Sequence, residues 1–320
     1  MRWLLAALAA AMMLAPLSGE AQTRRGPDFL PNLPVVDQDG RQLRFYDDLI
    51  KDKIVVIMFI YTNCTDICPI TTARMTQIED KLREDKLRDV RGRDIFIISI
   101  TVDPVNDTPE RLKAYSKAFS TGPDWTFVTG KPEDIRAINY RLGERSKVLS
   151  EHRNEIVLGN DMTGEWQRDN VMGDLARVTT SIREMDPKYR DQVRQVRANP
   201  GMNTGLPMGA QPGQSMFKKL CTGCHTIGVG DKVGPDLRGV TERRERAWLM
   251  RYLRDPRGMT KRDPLARALA EKYPVVPMPN MALSEQDAED LIGYLQDETA
   301  KLVEVVPPAR TGHHQHGHKH

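Results

Sequence analysis

Apolar positions between Pro34 and about Trp166 fall into short continuous runs separated by longer segments of helical period. Ile54 to Ile60 (IVVIMFI) is apolar throughout, which predicts a strand buried on both faces. Pro69 opens a stretch in which Met75, Ile78 and Leu82 recur at helical spacing; proline suits a first turn because its missing N–H is not needed there. Asp94 to Val102 (DIFIISITV) predicts a second buried strand. Thr108-Pro109-Glu110 predicts a helix start, Trp125 to Val128 a strand and Lys131 to Leu142 a helix. Glu155 to Leu158 and Glu165 to Gln167, separated by Thr163-Gly164, predict a closing hairpin. This order implies an α/β sandwich over residues 22–185.

The pattern changes between about Asp186 and Gly213. Asn199-Pro200-Gly201, Gly205-Leu206-Pro207 and Gln211-Pro212-Gly213 sustain neither period, so 186–213 reads as a linker. Residues 214–300 read as a small all-α unit. Trp248, Leu249, Tyr252 and Leu253 share one helical face, and Ser284 with Asp287 starts a capping box. Ala288, Leu291, Ile292 and Leu295 then follow at amphipathic spacing.

Size and charge narrow the class. A chain of 320 residues favours two domains, and 47 basic against 44 acidic side chains leave +3 with no basic patch interleaved with aromatics. That pattern gives no footprint for nucleic acid. Arg2, the apolar stretch from Trp3 to Leu17 and the small residues around Ala21 read as a signal peptide over 1–21. The apolar run is shorter than the roughly 20 residues that span a bilayer, although an uncleaved signal would leave an anchor. The expected location is the periplasm, an oxidising compartment.

All four cysteines and two of the seven histidines fall into two constellations, and the other five histidines crowd the tail from His313 to His320. Cys221-Thr222-Gly223-Cys224-His225 is the C-x-x-C-H signature of c-type haem attachment. Two thiols about a helical turn apart reach the two vinyl groups of one porphyrin, and the next residue faces the iron. No other histidine lies in the helical unit, so a methionine is favoured as the second axial ligand, which raises the potential. Met278 and Met281 are the candidates. A zinc site at this pair lacks a fourth soft ligand.

Cys64-Thr65-Asp66-Ile67-Cys68 follows the first buried strand. By itself C-x-x-x-C is compatible with a structural disulfide, with a redox dithiol activated at a helix N-terminus, or with a soft-metal site. Asp66 and Asp103 fit either a tuning role or an ordinary turn. The tail 301–320 places five imidazoles on a segment that cannot fold alone, suited to capturing Cu(II), Ni(II) or Zn(II).

Two resemblances sharpen these readings. Gly234-Pro235-Asp236-Leu237 and the Met278-Pro279 loop before the last helix make residues 214–300 similar to class I c-type cytochromes. That resemblance implies Met278 as axial ligand, with the Pro235 carbonyl orienting His225. FIYTNCTDICP at 59–69, TVDPVNDTP at 101–109 and DWTFVTG at 124–130, with a histidine before a hairpin, resemble the Sco (SenC) family. Those are copper-binding proteins of thioredoxin-like fold, and the resemblance implies Cys64, Cys68 and His152 as copper ligands. The chain departs from the family at Thr65, where proline is common, and in the Ser150-Glu151-His152-Arg153 context.

Together they imply an exported copper metallochaperone fused to a monohaem cytochrome c, with copper and haem c as cofactors. Its expected partners are the CuA subunit of a cytochrome c oxidase, or a similar copper acceptor, and a redox partner. The alternatives are a thiol–disulfide oxidoreductase using Cys64 and Cys68 with the haem as electron inlet or outlet, and a plain electron carrier.

Overall fold

The computed structural model describes residues 27–87, 95–146, 148–152, 154–191 and 211–304. The expected signal at 1–21, most of the linker and the histidine-rich tail lie outside the described residues. Among the described residues no helix is long and apolar enough to cross a membrane.

The first unit contains strands β1 (Pro34–Asp37), β2 (Gln42–Arg44), β3 (Ile54–Ile60), β4 (Ile95–Thr101), β5 (Trp125–Thr129), β6 (Glu155–Asn160) and β7 (Glu165–Asn170). They form one mixed sheet in the order β2-β1-β5-β4-β3-β6-β7. The central β3 runs parallel to β4 and antiparallel to β6. Every residue of β3 is buried, as its unbroken apolar run predicts. The strand's period of two divides those side chains between two cores. Ile54, Val56, Met58 and Ile60 face helices α1 (Ile67–Leu87), α2 (Pro109–Ala118) and α4 (Leu175–Arg183). Val55, Ile57 and Phe59 face α3 (Pro132–Arg141) and the wide turn Phe45–Ile50. Each such side chain contributes roughly 1.5–3 kcal/mol by leaving water. The result is the thioredoxin-like α/β sandwich that the resemblance implied.

The closing hairpin is longer than its apolar residues suggest, because β6 and β7 pair from Glu155↔Asn170 to Asn160↔Glu165. The added positions are small or polar and carry no alternation signal. Asn160 is fully buried yet satisfied, its amide donating to the Met185 carbonyl at 2.7 Å. The chain also stays on the sheet beyond residue 185: Arg190 pairs with Glu165 of β7 at 2.7 Å.

The second unit is helical: α5 (Pro212–Met216), α6 (Val240–Arg243), α7 (Arg246–Arg254), α8 (Pro256–Arg262), α9 (Pro264–Lys272) and α10 (Glu285–Glu304). The capping box before α10 closes in both directions. The Asp287 amide donates to the Ser284 hydroxyl at 3.1 Å, and the Ser284 amide donates to the Asp287 carboxylate at 2.9 Å. Ala288, Leu291, Ile292 and Leu295 of α10 are all buried. The pattern did not separate α8 and α9. Their signal is a repeated Asp-Pro: Asp255 and Asp263 cap the amides of Gly258 and Ala266, each at 2.9 Å, and a proline follows at the first helical position.

Candidate metal centre and haem cavity

Strand β3 ends at Ile60, and the loop Tyr61–Asp66 carries the chain into α1, whose first turn contains Cys68. The Cys64 amide donates to the Tyr61 carbonyl at 3.1 Å, and the Cys68 amide donates to Cys64 Sγ at 3.4 Å. His152 arrives from the other side, after the turn Leu149–Glu151 and just before β6. Its Nε2 lies 3.1 Å from Cys68 Sγ, and Tyr61 packs edge-on against the imidazole with ring centroids 5.6 Å apart. The ligand atoms of Cys64, Cys68 and His152 all lie within 4.8 Å of one another, and all three residues are buried. Donors bonded to one ion at about 2.0–2.3 Å, as sulfur and nitrogen are in zinc sites, fall within such separations.

The two thiols are unequal. A hydrogen bond from the Cys68 thiol, helped by His152 and the backbone N–H groups of Asp66 and Cys68, lowers the Cys64 pKa despite burial. Burial, and then the Cys64 partner, push Cys68 well above the ordinary thiol range. The opposite shifts favour one thiolate beside one thiol. Two sulfurs and an imidazole form a soft donor set that suits Cu(I) and tolerates Cu(II). The same asymmetry suits a dithiol nucleophile.

A buried carboxylate that sequence reasoning missed fixes the loop. Asp107 accepts from the Thr62 amide at 3.1 Å, from the Thr62 hydroxyl, and from the Thr101 hydroxyl at 2.6 Å, tying the cysteine loop to the end of β4. Burial raises its pKa, and the bonds from Thr101 and Thr62 oppose that rise. Asp103 holds a turn: its carbonyl accepts from the Asn106 and Asp107 amides, and its carboxylate accepts from the Asn106 side chain at 2.9 Å. Asp66 is exposed and pairs with Arg257 of α8 at 2.9 Å.

In the helical unit, α5 continues as a wider turn, Phe217–Cys221, and the amides of Cys224 and His225 both donate to the Cys221 carbonyl, at 3.0 and 2.8 Å. The imidazole of His225 donates from Nδ1 to the Pro235 carbonyl at 2.9 Å. Burial lowers its pKa, so the ring is neutral and Nε2 keeps its lone pair for a metal. A cavity of about 390 Å³ opens beside it, lined among others by Cys221, Cys224, His225, Trp248 and Met278. Met281 is not on that wall; it packs with Leu283 and Leu291 in the neighbouring core cluster.

The residues present fit a haem. Burial pushes the thiols of Cys221 and Cys224 up to about 12 each, which keeps them uncharged, unlike Cys64. The Nε of Arg257, also on the cavity wall, is buried with no hydrogen-bond partner among the described residues, as a bound carboxylate would require. A Cβ at Gly234 would stand 2.5 Å from His225 Cε1, so only glycine lets the imidazole lie there. The structure thus brings together Cys64, Cys68 and His152 in one group, and Cys221, Cys224, His225 and Met278 in another.

Comparisons with known proteins match two separate stretches of the chain. The SCO1/SenC family model matches residues 21–156, and the cytochrome c family model matches residues 210–298. A SCO1 protein homolog of Bacillus subtilis is 37% identical over 95 residues, 29% of this chain and 45% of that protein. An SCO2-like protein of Rickettsia conorii is 34% identical over 128 residues, 38% of this chain and 56% of its own. The chain thus spans about half the length of these curated relatives. The solved structure of Bradyrhizobium japonicum ScoI with copper bound is 22% identical, covering 48% of this chain and 99% of that one, with a TM-score of 0.39. Copper and haem c are the cofactors that go with the two families. The chain is thus similar to the SCO1/SenC family over residues 21–156 and to the cytochrome c family over residues 210–298.

Proposed function

We propose that this protein is an exported, periplasmic copper metallochaperone of Sco type whose fused monohaem cytochrome c exchanges single electrons with the copper site. Cys64, Cys68 and His152 hold the copper. Cys221 and Cys224 attach the haem covalently, and His225 and Met278 are its axial ligands. The cargo is delivered to the CuA centre of a cytochrome c oxidase or to a similar acceptor. The observation that carries the reading is the convergence of two buried thiols and a histidine, 84 positions beyond Cys68, onto one point.

The fusion adds a chemical reason. Haem iron and the Cu(II)/Cu(I) couple each exchange one electron, so a single transfer switches the copper state, whereas a dithiol needs two. The tether keeps the two sites at high effective concentration. The test is a copper titration of the haem-loaded chain, reduced beforehand and followed by haem absorbance, on the wild type and on His152→Ala. One Cu(II) per chain should oxidise the wild-type haem, and His152→Ala should bind copper far more weakly. Unchanged copper affinity in His152→Ala would remove the ligand assignment.

The unequal thiols of Cys64 and Cys68 support a second reading, a thiol–disulfide oxidoreductase coupled to the haem. That activity would survive His152→Ala and would not require copper, so the same variant separates the two.

A further inference from the structure

The two units meet beside both sites. Thr65, the residue after Cys64, lies on the wall of the haem cavity, so a copper ligand and a haem contact are adjacent along the chain. Both middle residues of the C-x-x-C-H loop rest on α1, the helix that carries Cys68. Gln77 donates to the Thr222 hydroxyl at 2.8 Å. Gly223 sits so close to α1 that a Cβ there would lie 2.3 Å from Ala73 Cβ and 2.7 Å from the Ala73 carbonyl oxygen. Val233 and Val276 of the helical unit join the same apolar cluster as Ala73. Arg257, on the cavity wall, reaches out to Asp66 of the cysteine loop at 2.9 Å.

C-x-x-C-H chemistry itself places no demand on its middle residues, yet here one is held to glycine by the other unit. Cys224 itself packs against the apolar cluster that holds Ala73 and the wholly buried Tyr115 of α2.

We propose that this contact is an electron-transfer junction: Thr65 and the Ala73–Gly223 packing form the route between the copper ligands and the haem, and Asp66–Arg257 keeps the route closed. The inference rests on the copper–haem coupling proposed above. One electron leaves ferrous haem and reduces Cu(II) to Cu(I) within one chain, and no proton or bond changes hands. Tunnelling falls off exponentially with distance, so the step requires the docked arrangement.

The test uses the full haem-loaded chain, reduced and then mixed with one equivalent of Cu(II) in stopped flow, with amide hydrogen exchange of residues 222–225 as an independent readout of docking. Wild type should show haem oxidation at a rate independent of protein concentration. Gly223→Val, which overpacks the contact, should raise exchange at 222–225 and slow the step by about tenfold or more. Asp66→Arg should slow it by about two- to fivefold, because the pair is partly exposed, and Asp66→Glu, which keeps the charge facing Arg257, should leave the rate close to wild type. The Asp66 variants, which leave the haem cavity wall untouched, cover the case in which Gly223→Val impairs haem attachment. A rate that rises with protein concentration, an unchanged rate in an undocked variant, or unchanged exchange in every variant would each overturn the junction. Wild-type haem that stays reduced despite bound Cu(II) would instead overturn the coupling itself.

Discussion

Cys68 Sγ and His152 Nε2 face each other at 3.1 Å across the gap between the first turn of α1 and the approach to β6. The sheet explains how residues so distant in sequence meet. β6 pairs antiparallel with β3, Val157 opposite Ile57, so the residues preceding β6 come up beside the end of β3 and the loop that follows it. Cys68 and His152 are thus delivered by neighbouring strands of one sheet.

Replacing His152 by alanine removes one of three convergent donors and leaves a gap beside two sulfurs. Losing an outer-shell partner of a metal ligand typically costs 10–100-fold in affinity, so losing His152 as the proposed ligand should cost about 100-fold or more. Competition against a copper chelator measures this. The fold should tolerate the change, because one hydrogen bond is worth about 1 kcal/mol. A loss of affinity accompanied by a collapsed melting transition would mean that the side chain is structural.

The unequal thiols make a statement about protons. Cys64 is shifted towards the thiolate and Cys68 towards the thiol. Copper binding at pH 8 should therefore release about one proton per ion. Calorimetry in buffers of different ionisation enthalpy counts it. Release of two protons would mean that Cys64 is protonated in the free protein.

What was legible in the sequence follows from what is local. The run Ile54 to Ile60, the Ser284 capping box and the C-x-x-C-H signature are short-range patterns, and each marks its element or motif directly. His152 has no local signal at all, and only the likeness to Sco proteins singled it out. Gly223 and Arg257 were invisible for a different reason. Their roles depend on how one unit packs on the other, and neither a period of 2 nor one of 3.6 encodes a contact between domains. Asp107 lies between these cases, since the TVDPVNDTP segment carries the Sco resemblance while nothing in it marks the carboxylate as buried.

Asp107 should act as a positioning residue for the cysteine loop. Its replacement by alanine strands the Thr62 amide and the Thr101 hydroxyl, which it now satisfies from one buried carboxylate. Unsatisfied buried donors cost about 1–3 kcal/mol each, so urea denaturation should show a clear loss. Copper affinity should fall as well, because Thr62 lies two residues before Cys64. Asp107→Asn, which keeps one acceptor, should retain part of both. Copper affinity unchanged in the alanine variant would confine Asp107 to stability.

Gly234→Ala offers a sharper probe of the haem cavity than changing a ligand. The added methyl would meet His225 Cε1 at 2.5 Å, and the imidazole is held against the Pro235 carbonyl, so backbone or ring must shift. Overpacking of this kind costs about 1–3 kcal/mol. The haem-loaded variant should melt earlier and show altered haem absorbance, with copper binding at Cys64 and Cys68 unaffected. An unchanged haem spectrum would mean that the loop yields elsewhere.

Acid should loosen the same loop through Asp236. Burial opposes its charge, but the amides of Gly228, Arg238 and Gly230 and the Thr226 hydroxyl outweigh that and hold its pKa well below the usual 3.8. A carboxyl depressed in the folded state contributes stability that is fully present above its unfolded value, and that contribution is lost as pH falls through the lower folded value. Asp236 follows Pro235 directly, so the loop it anchors is the one whose carbonyl accepts from His225. Wild type should therefore be more stable than Asp236→Asn at pH 7, and the two should converge progressively below about pH 4. Thermal melts across that range, read at the haem, measure the gap. Curves that stay parallel down to acid pH would show that the loop is held by packing and not by the carboxylate.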